Sequence, residues 1–251
     1  KNNLNPFNSE IKINNNKIYV IDMNNILRSF NLDDGAELWK FNSENTFLKS
    51  SKRNSLVIKD EIVYFNNSLG DITAINANDG SLIWQTPTQS SSIYESSFSL
   101  KMSDLVISED DLIFSNNKNE IYSISLLNGF TNWKQNINSS VRPVIINNMI
   151  FTISNEGYLF TLDKYTGNIF KITDIFTQFK PKIRKKIFPV GFVVGEKNIL
   201  LSTSNGRLLI IDLKLGKTIS TLKIDNEKIS RPFVQNDNLF LIKDNAIIKL
   251  N

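Results

Sequence analysis

Side chains that could do acid–base chemistry are concentrated in predicted turns. The carboxylates at such positions are Asp33, Asp34, Asp79, Asp110, Asp111, Asp163 and Asp212. An aspartate in a turn usually accepts hydrogen bonds from its own backbone, so we expect these residues to shape the chain and not to transfer protons. The sequence contains no histidine and no cysteine, which excludes Ser-His triads, cysteine nucleophiles and zinc sites of the usual kind. We therefore predict a protein that is not an enzyme.

Motifs for bound cofactors, metals and nucleic acids are missing from the sequence. The ten glycines are scattered singly, so neither a P-loop nor a dinucleotide-binding fingerprint is formed. No run of spaced Asp and Asn residues with a terminal Glu matches a calcium loop. The net charge of +4 is spread along the chain, unlike the basic stripe of a dedicated nucleic-acid binder. We predict no cofactor, no metal and no nucleic-acid partner.

One turn motif recurs, with a tryptophan four residues after a glycine. Its three copies are Asp34, Gly35 and Trp39; Asp79, Gly80 and Trp84; and Asn128, Gly129 and Trp133. Two weaker copies replace the tryptophan by an apolar residue three positions after the glycine, Phe170 after Gly167 and Ile219 after Gly216. Repetition of a large aromatic favours packing over catalysis, so we predict that the turn motif joins each repeat to the next.

The strands around these turns repeat as four-strand units. Apolar alternation and turn residues indicate six units, at residues 10–42, 55–86, 104–136, 143–173, 189–223 and 232–250. The sixth unit is predicted to have three strands and no fourth. Four short strands every ~40–50 residues are typical of propeller blades. The sequence therefore predicts an all-β fold, a β-propeller of four-stranded antiparallel blades, forming a single domain over residues 1–251.

Two connections interrupt the repeat, a serine-rich one at 87–103 and a basic one at 174–188. The cations of the basic connection are Lys180, Lys182, Arg184, Lys185 and Lys186. We interpret it as a solvated loop between blades; the alternative is a contact with anionic lipid or an acidic protein partner. A stacking platform for nucleic acid needs aromatic side chains among its cations. Between Lys180 and Lys186 there is no aromatic residue. No apolar run approaches the ~20 residues of a membrane span.

The Asp-Gly-x-x-x-Trp turns, in blades of this length, resemble the PQQ-like propeller repeat. One family with this repeat, the quinoprotein dehydrogenases, binds pyrroloquinoline quinone and calcium and carries a vicinal cysteine pair that this chain lacks. The BamB family of the outer-membrane β-barrel assembly machinery is more similar, over nearly the whole chain. The likeness is strongest in FPVGFVVGEKNILLSTSNGRLLIIDLKLGKTISTLKI and ISRPFVQNDNLFLIKDNAIIKLN.

Propellers of the BamB family have eight blades, so the resemblance implies that N-terminal blades and a lipidated signal region are missing from this chain. A smaller, complete propeller is the alternative. The resemblance also implies a location at the periplasmic face of the bacterial outer membrane. Membrane association would then come only through a lipid anchor outside this chain.

The resemblance implies a non-catalytic scaffold that binds BamA-like POTRA domains, other subunits of the assembly machinery and unfolded outer-membrane proteins. In the family, the contact loops lie at one rim of the propeller. The segment FLKSSKRNSLVI is similar to one of them and places Leu48 and Lys49 at its Leu-Arg pair, with Arg53 as a substitute cation. The following loop keeps one acidic residue, Asp104. The alternatives are a quinoprotein dehydrogenase and a periplasmic propeller that senses a ligand.

Overall fold

The computed structural model describes residues 5–43, 52–88, 102–116 and 119–250. The chain forms two compact units, residues 1–136 and residues 137–251. Each unit is built from antiparallel sheets whose strands follow one another in chain order. The all-β expectation is confirmed, since the described residues contain 23 strands and one helix of four residues.

The first unit contains three four-stranded sheets. Sheet 1 consists of β1 (Lys12–Asn14), β2 (Lys17–Ile21), β3 (Ile26–Asn31) and β4 (Glu37–Asn42). Sheet 2 consists of β5 (Leu56–Lys59), β6 (Ile62–Asn66), β7 (Ile72–Asn76) and β8 (Leu82–Thr86). Sheet 3 consists of β9 (Val106–Ser108), β10 (Asp111–Ser115), β11 (Glu120–Ser125) and β12 (Thr131–Asn136).

The second unit contains two four-stranded sheets and one three-stranded sheet. Sheet 4 consists of β13 (Val144–Ile146), β14 (Met149–Ile153), β15 (Tyr158–Asp163) and β16 (Ile169–Asp174). Sheet 5 consists of β17 (Pro189–Val194), β18 (Asn198–Thr203), β19 (Arg207–Asp212) and β20 (Thr218–Lys223), and the helix α1 (Pro181–Arg184) precedes it. Sheet 6 consists of β21 (Phe233–Gln235), β22 (Asn238–Lys243) and β23 (Ala246–Leu250), as predicted for the last unit.

Turn residues with positive φ set the register of the hairpins. The pair Asn15 and Asn16 between β1 and β2 has φ angles of 47° and 59°, the left-handed pair that a two-residue hairpin turn requires. The turn between the third and fourth strands uses glycine instead, as at Gly80 with a φ of 75°. All five pairings of a third with a fourth strand shift register at one place, as between Ala74 and Ile75. The repeated sequence turn is thus also a repeated structural turn.

The hydrophobic core is divided among pairs of consecutive sheets. One cluster joins sheets 1 and 2 and contains the fully buried Ile21 and Phe65. A second cluster joins sheets 2 and 3, and a third joins sheets 4 and 5 around Phe176 and Phe192. Complete burial of such a side chain contributes about 1.5–3 kcal/mol to stability. Sheets 1 to 5 therefore each share a core with a neighbouring sheet.

Several sheets begin or end one or two residues away from the predicted bounds, as sheet 1 does at Lys12. Sheet 3 begins at Val106 and not at Asp104, because the Leu105 amide donates to the Ser55 hydroxyl (2.9 Å) and not to a strand. The basic connection, expected to be a solvated loop, contains the helical turn α1. In the described part of the chain, no helix is long and apolar enough to cross a membrane. The single domain over residues 1–251 stays a prediction.

Candidate functional site

The first copy of the turn motif places Trp39 of sheet 1 on a turn of sheet 2. The indole lies so close to Gly80 that an added Cβ would come within 2.7 Å of the Trp39 Cε3 atom. Its Nε1 atom donates to the Ala77 carbonyl (3.1 Å), and the Tyr19 hydroxyl donates to the same oxygen (3.2 Å). Glycine is needed here for its positive φ and for this close approach.

The second copy repeats this geometry between sheets 2 and 3. Trp84 lies over Gly129, and its Nε1 atom donates to the Leu126 carbonyl (2.9 Å). The Tyr64 hydroxyl donates to the same carbonyl (3.4 Å), and burial raises the pKa of Tyr64 to about 12. The Thr86 hydroxyl adds a bond to the Gly129 carbonyl (2.7 Å). These tyrosines are partners that the sequence motif did not include.

The acidic residues of the turn motif support their own turns. The Asp79 carboxylate accepts hydrogen bonds from the Ser81 hydroxyl and amide, which lower the pKa of Asp79. Asp34 accepts from the Ala36 amide (2.9 Å), and no atom lies within 4 Å of a Cβ placed on Gly35. These carboxylates are exposed and do not converge. Trp133 of the third copy is buried, with 8% of its surface exposed.

In the two weaker copies the apolar residues Phe170 and Ile219 are more than 60% exposed, so they do not pack as the tryptophans do. In sheet 4 the tryptophan position, four residues after Gly167, is occupied by Lys171. Its ammonium group donates to the carbonyls of Lys214 and Leu215, each at 2.9 Å. Counting from the glycine would have found Lys171, whereas a search for apolar residues could not.

Two predicted contact residues of the rim, Arg53 and Asp104, lie on neighbouring segments of the first unit. Two hydrogen bonds join these segments: the Leu105 amide donates to the Ser55 hydroxyl, and the Lys52 ammonium group donates to the Met102 carbonyl. Arg53 is exposed and Asp104 half-buried. Among the described residues neither side chain forms an ion pair. The other two predicted residues, Leu48 and Lys49, lie outside the described part of the chain.

Residues 7–9, which precede sheet 1, form an isolated bridge to Asn54 and continue this rim. We define the rim as residues 7–9, 52–55 and 102–105. The Asn54 amide donates to the Asn8 carbonyl (2.7 Å), and the Ser9 hydroxyl accepts from the Ile21 amide (2.9 Å). The Ser103 hydroxyl accepts from the Ser115 amide in the same way (2.8 Å). The rim backbone is thus fixed by hydrogen bonds, while the Arg53 cation and the Asp104 carboxylate remain available to a partner.

The basic connection of the second unit is anchored by Arg184, which is not a solvated cation. The Nη1 atom of Arg184 lies 2.6 Å from the Asp174 carboxylate, and Nη2 donates to the Glu156 carbonyl (3.2 Å). The guanidinium also lies over the Tyr158 ring, 5.3 Å from its centroid. The other four cations of the connection are exposed: Lys180, Lys182, Lys185 and Lys186.

Two titratable residues of sheet 3, Tyr122 and Glu120, are hydrogen-bonded to each other. Burial is the largest influence that raises the pKa of Tyr122, and its bond to Glu120 (2.6 Å) adds to it. Burial would raise the pKa of Glu120, but the bonds from Tyr122 and Lys134 lower it overall. Across the described ranges, no group of three or more His, Cys, Asp or Glu residues could hold a metal ion.

Comparison with known sequences identifies relatives of this chain. The family model described as outer membrane protein assembly factor BamB matches residues 3–173. The outer membrane protein assembly factor BamB of Salmonella typhimurium is 30% identical over 76 residues, which cover 28% of this chain. That alignment spans only 19% of the length of the Salmonella protein.

Comparison with solved structures identifies the fold. BamB from Moraxella catarrhalis superimposes with a TM-score of 0.61 at 12% identity, over 98% of this chain and 85% of that protein. The quinohemoprotein alcohol dehydrogenase from Comamonas testosteroni gives a TM-score of 0.63, also at 12% identity, over 87% of this chain and 43% of the dehydrogenase. Likenesses at such identities show the fold alone, and the prediction of a β-propeller fold is confirmed.

Proposed function

Because the chain belongs to the family of the outer membrane protein assembly factor BamB, we propose that it is a non-catalytic scaffold of the machinery that assembles outer-membrane β-barrel proteins. The observation that carries this proposal is the family match over residues 3–173. A scaffold binds through a fixed surface. The hydrogen-bonded rim of the first unit supplies one.

The rim is the part of the molecule that we propose to bind a partner. Arg53 and Asp104 present opposite charges on adjacent segments, and such a pair selects a complementary surface while adding little raw affinity. We propose Leu48 and Lys49 as further contacts of the same rim. The proposed partners are a BamA-like POTRA domain, other subunits of the machinery and unfolded outer-membrane proteins. The proposed location is the periplasmic face of the outer membrane, with a lipid anchor outside this chain.

A second candidate function is suggested by the fold likeness to the quinohemoprotein alcohol dehydrogenase. That family uses pyrroloquinoline quinone with a bound calcium ion, and calcium requires six to eight oxygen ligands. The donor set of this chain does not fit, because the described residues offer no acidic cluster for a metal and Asp79 and Asp163 are hydrogen-bonded within their turns. We therefore favour the scaffold.

The test of the scaffold proposal is retention of the BamA periplasmic domain on the immobilised chain. We expect the wild-type chain to retain it. The Arg53→Glu/Asp104→Lys variant keeps the net charge but should lose about tenfold in affinity, because its reversed charges would face like charges on the partner. Lys40→Glu serves as a control, because Lys40 is exposed on β4, away from the rim segments. Failure of the wild-type chain to retain BamA would contradict the scaffold role, and equal losses in both variants would contradict the assignment of the rim.

A further inference from the structure

The basic connection forms one wall of a groove in the second unit. The groove has a volume of about 470 Å³ and is lined by Lys182, Ile183, Lys185, Lys186, Ile187 and Asn205. Asn205 belongs to the turn between β18 and β19, so the opposite wall is part of sheet 5. Three lysines and two isoleucines therefore line one concavity.

The lysines of this groove have no counter-ion. In the described part of the chain, Lys182, Lys185 and Lys186 form no ion pair and no side-chain hydrogen bond. The neighbouring Arg184 is fully engaged with Asp174 and Glu156. Three like charges held together raise the local positive potential, and the nearby carboxylate of Asp174 is already paired with Arg184.

Contacts within the chain hold the backbone of the groove in place. The bonds from Arg184 to Asp174 and Glu156 hold the middle of the connection on sheet 4. At its end, Ile187 is 4% exposed and belongs to the core cluster of sheets 4 and 5. The α1 backbone is closed by the bond from the Arg184 amide to the Lys180 carbonyl (2.9 Å). Because the backbone is fixed at both points, binding would order only the lysine side chains.

The lining determines the chemistry of the ligand. Ammonium groups of lysine attract carboxylates as point charges, and Ile183, which is 47% exposed, offers an apolar surface beside them. A free inorganic anion would leave that isoleucine uncovered. A membrane is a flat surface, whereas these lysines line a concavity. A narrow polypeptide segment can bring carboxylates and an aliphatic side chain into the groove together.

We propose that this groove binds an acidic segment of a partner protein, an extended stretch in which Glu or Asp residues flank an aliphatic residue. The carboxylates pair with Lys182, Lys185 and Lys186, and the aliphatic side chain covers Ile183. Arg184 is a positioning residue, since it holds the wall of the groove and is itself paired. The proposal uses no residue of the rim and does not rest on the scaffold role.

The experiment measures fluorescence anisotropy of a labelled Glu-Leu-Glu-Glu-Leu-Glu peptide titrated with the whole chain. We expect the triple variant Lys182→Gln/Lys185→Gln/Lys186→Gln to raise the Kd about tenfold, which three exposed ion pairs can account for. The matched control Lys214→Gln/Lys217→Gln/Lys223→Gln removes the same charge from exposed lysines of the same unit, and we expect it to keep the wild-type Kd. Added salt should weaken binding to the wild-type chain, because exposed charges are screened.

Three further probes separate this site from other cationic surfaces. A Gln-Leu-Gln-Gln-Leu-Gln peptide and a Glu-Ser-Glu-Glu-Ser-Glu peptide should both bind more weakly than the first peptide. Equal losses of affinity in the two triple variants would overturn the proposal, and so would the absence of peptide binding to the wild-type chain. Binding to phosphatidylglycerol vesicles that depends on the groove lysines, without binding to the peptide, would assign the groove to a membrane surface instead and would also overturn it.

Discussion

Trp39 lies over Gly80, and this contact joins the last strand of sheet 1 to a turn of sheet 2. A Cβ atom at Gly80 would come within 2.7 Å of the indole, closer than carbon atoms approach without displacement. The same geometry recurs with Trp84 and Gly129. Glycine and tryptophan therefore act as a pair, although they belong to different repeats.

The first prediction concerns the replacement of Gly80. Gly80→Ala adds a methyl group both at a φ of 75° and against the indole, so we expect a loss of about 2–4 kcal/mol in the free energy of unfolding. Gly35→Ala is the control, since its φ is 71° but no atom lies within 4 Å of the added Cβ. It should lose only about 1–2 kcal/mol. Urea unfolding of both variants measures the difference, and equal losses would show that the indole contact costs nothing.

The second prediction concerns the carbonyl of Leu126, which accepts hydrogen bonds from Tyr64 and Trp84. Each single variant, Tyr64→Phe or Trp84→Phe, leaves one donor on this carbonyl in the buried Leu126. The double variant leaves none, and an unsatisfied buried group costs about 1–3 kcal/mol. We expect the double variant to lose more stability than the sum of the singles, by about 1 kcal/mol or more. A double-mutant cycle by urea unfolding measures this coupling. Strict additivity would mean that the two donors act independently.

The third prediction concerns the pH dependence of stability in the second unit. The bond from the Lys243 ammonium group, followed by the Glu227 amide, lowers the pKa of Asp225 from 3.8 to about 2. A carboxyl whose pKa is depressed by folding stabilises the native state above its unfolded pKa, and this stabilisation is lost as the pH falls towards the folded pKa. Stability should therefore fall between about pH 4 and pH 2.

The Asp225→Asn variant tests this assignment. Its free energy of unfolding should depend less on pH between about pH 4 and pH 2 than that of the wild-type chain, since the titrating group is gone. Urea unfolding at a series of pH values provides the measurement. Asp237→Asn is a control on the neighbouring sheet, because Asp237 lies in an exposed turn. A slope in Asp225→Asn equal to that of the wild-type chain would assign the acid sensitivity to other carboxylates.

Much of the fold could be predicted from the sequence because strands and turns are local. Alternation and turn residues correctly predicted that the first unit ends at Asn42 and the third at Asn136, where β4 and β12 end. The start of sheet 3 was missed, since Leu105 bonds to Ser55 and not to a strand. That bond joins residues far apart in the chain, and local hydrophobic patterns do not contain it.

The candidate sites were less predictable, because they depend on which segments lie side by side. The sequence placed Arg53 and Asp104 in separate loops, and only the folded chain shows their segments as neighbours. Arg184 was grouped with the lysines around it, yet its guanidinium reaches Asp174. Charge alone could not distinguish an anchoring arginine from lysines that face a groove.

The contact between a tryptophan and the glycine of the next sheet has a consequence for how such a gene can change. The repeat that forms sheet 2 carries both partners of this contact, because Gly80 lies under Trp39 of sheet 1 and Trp84 lies over Gly129 of sheet 3. Repeat proteins whose units contact only their neighbours are stabilised by nearest-neighbour interfaces. Duplication of one whole repeat would therefore supply both halves of a new interface in a single genetic event. Loss of half a repeat would leave a tryptophan without its glycine.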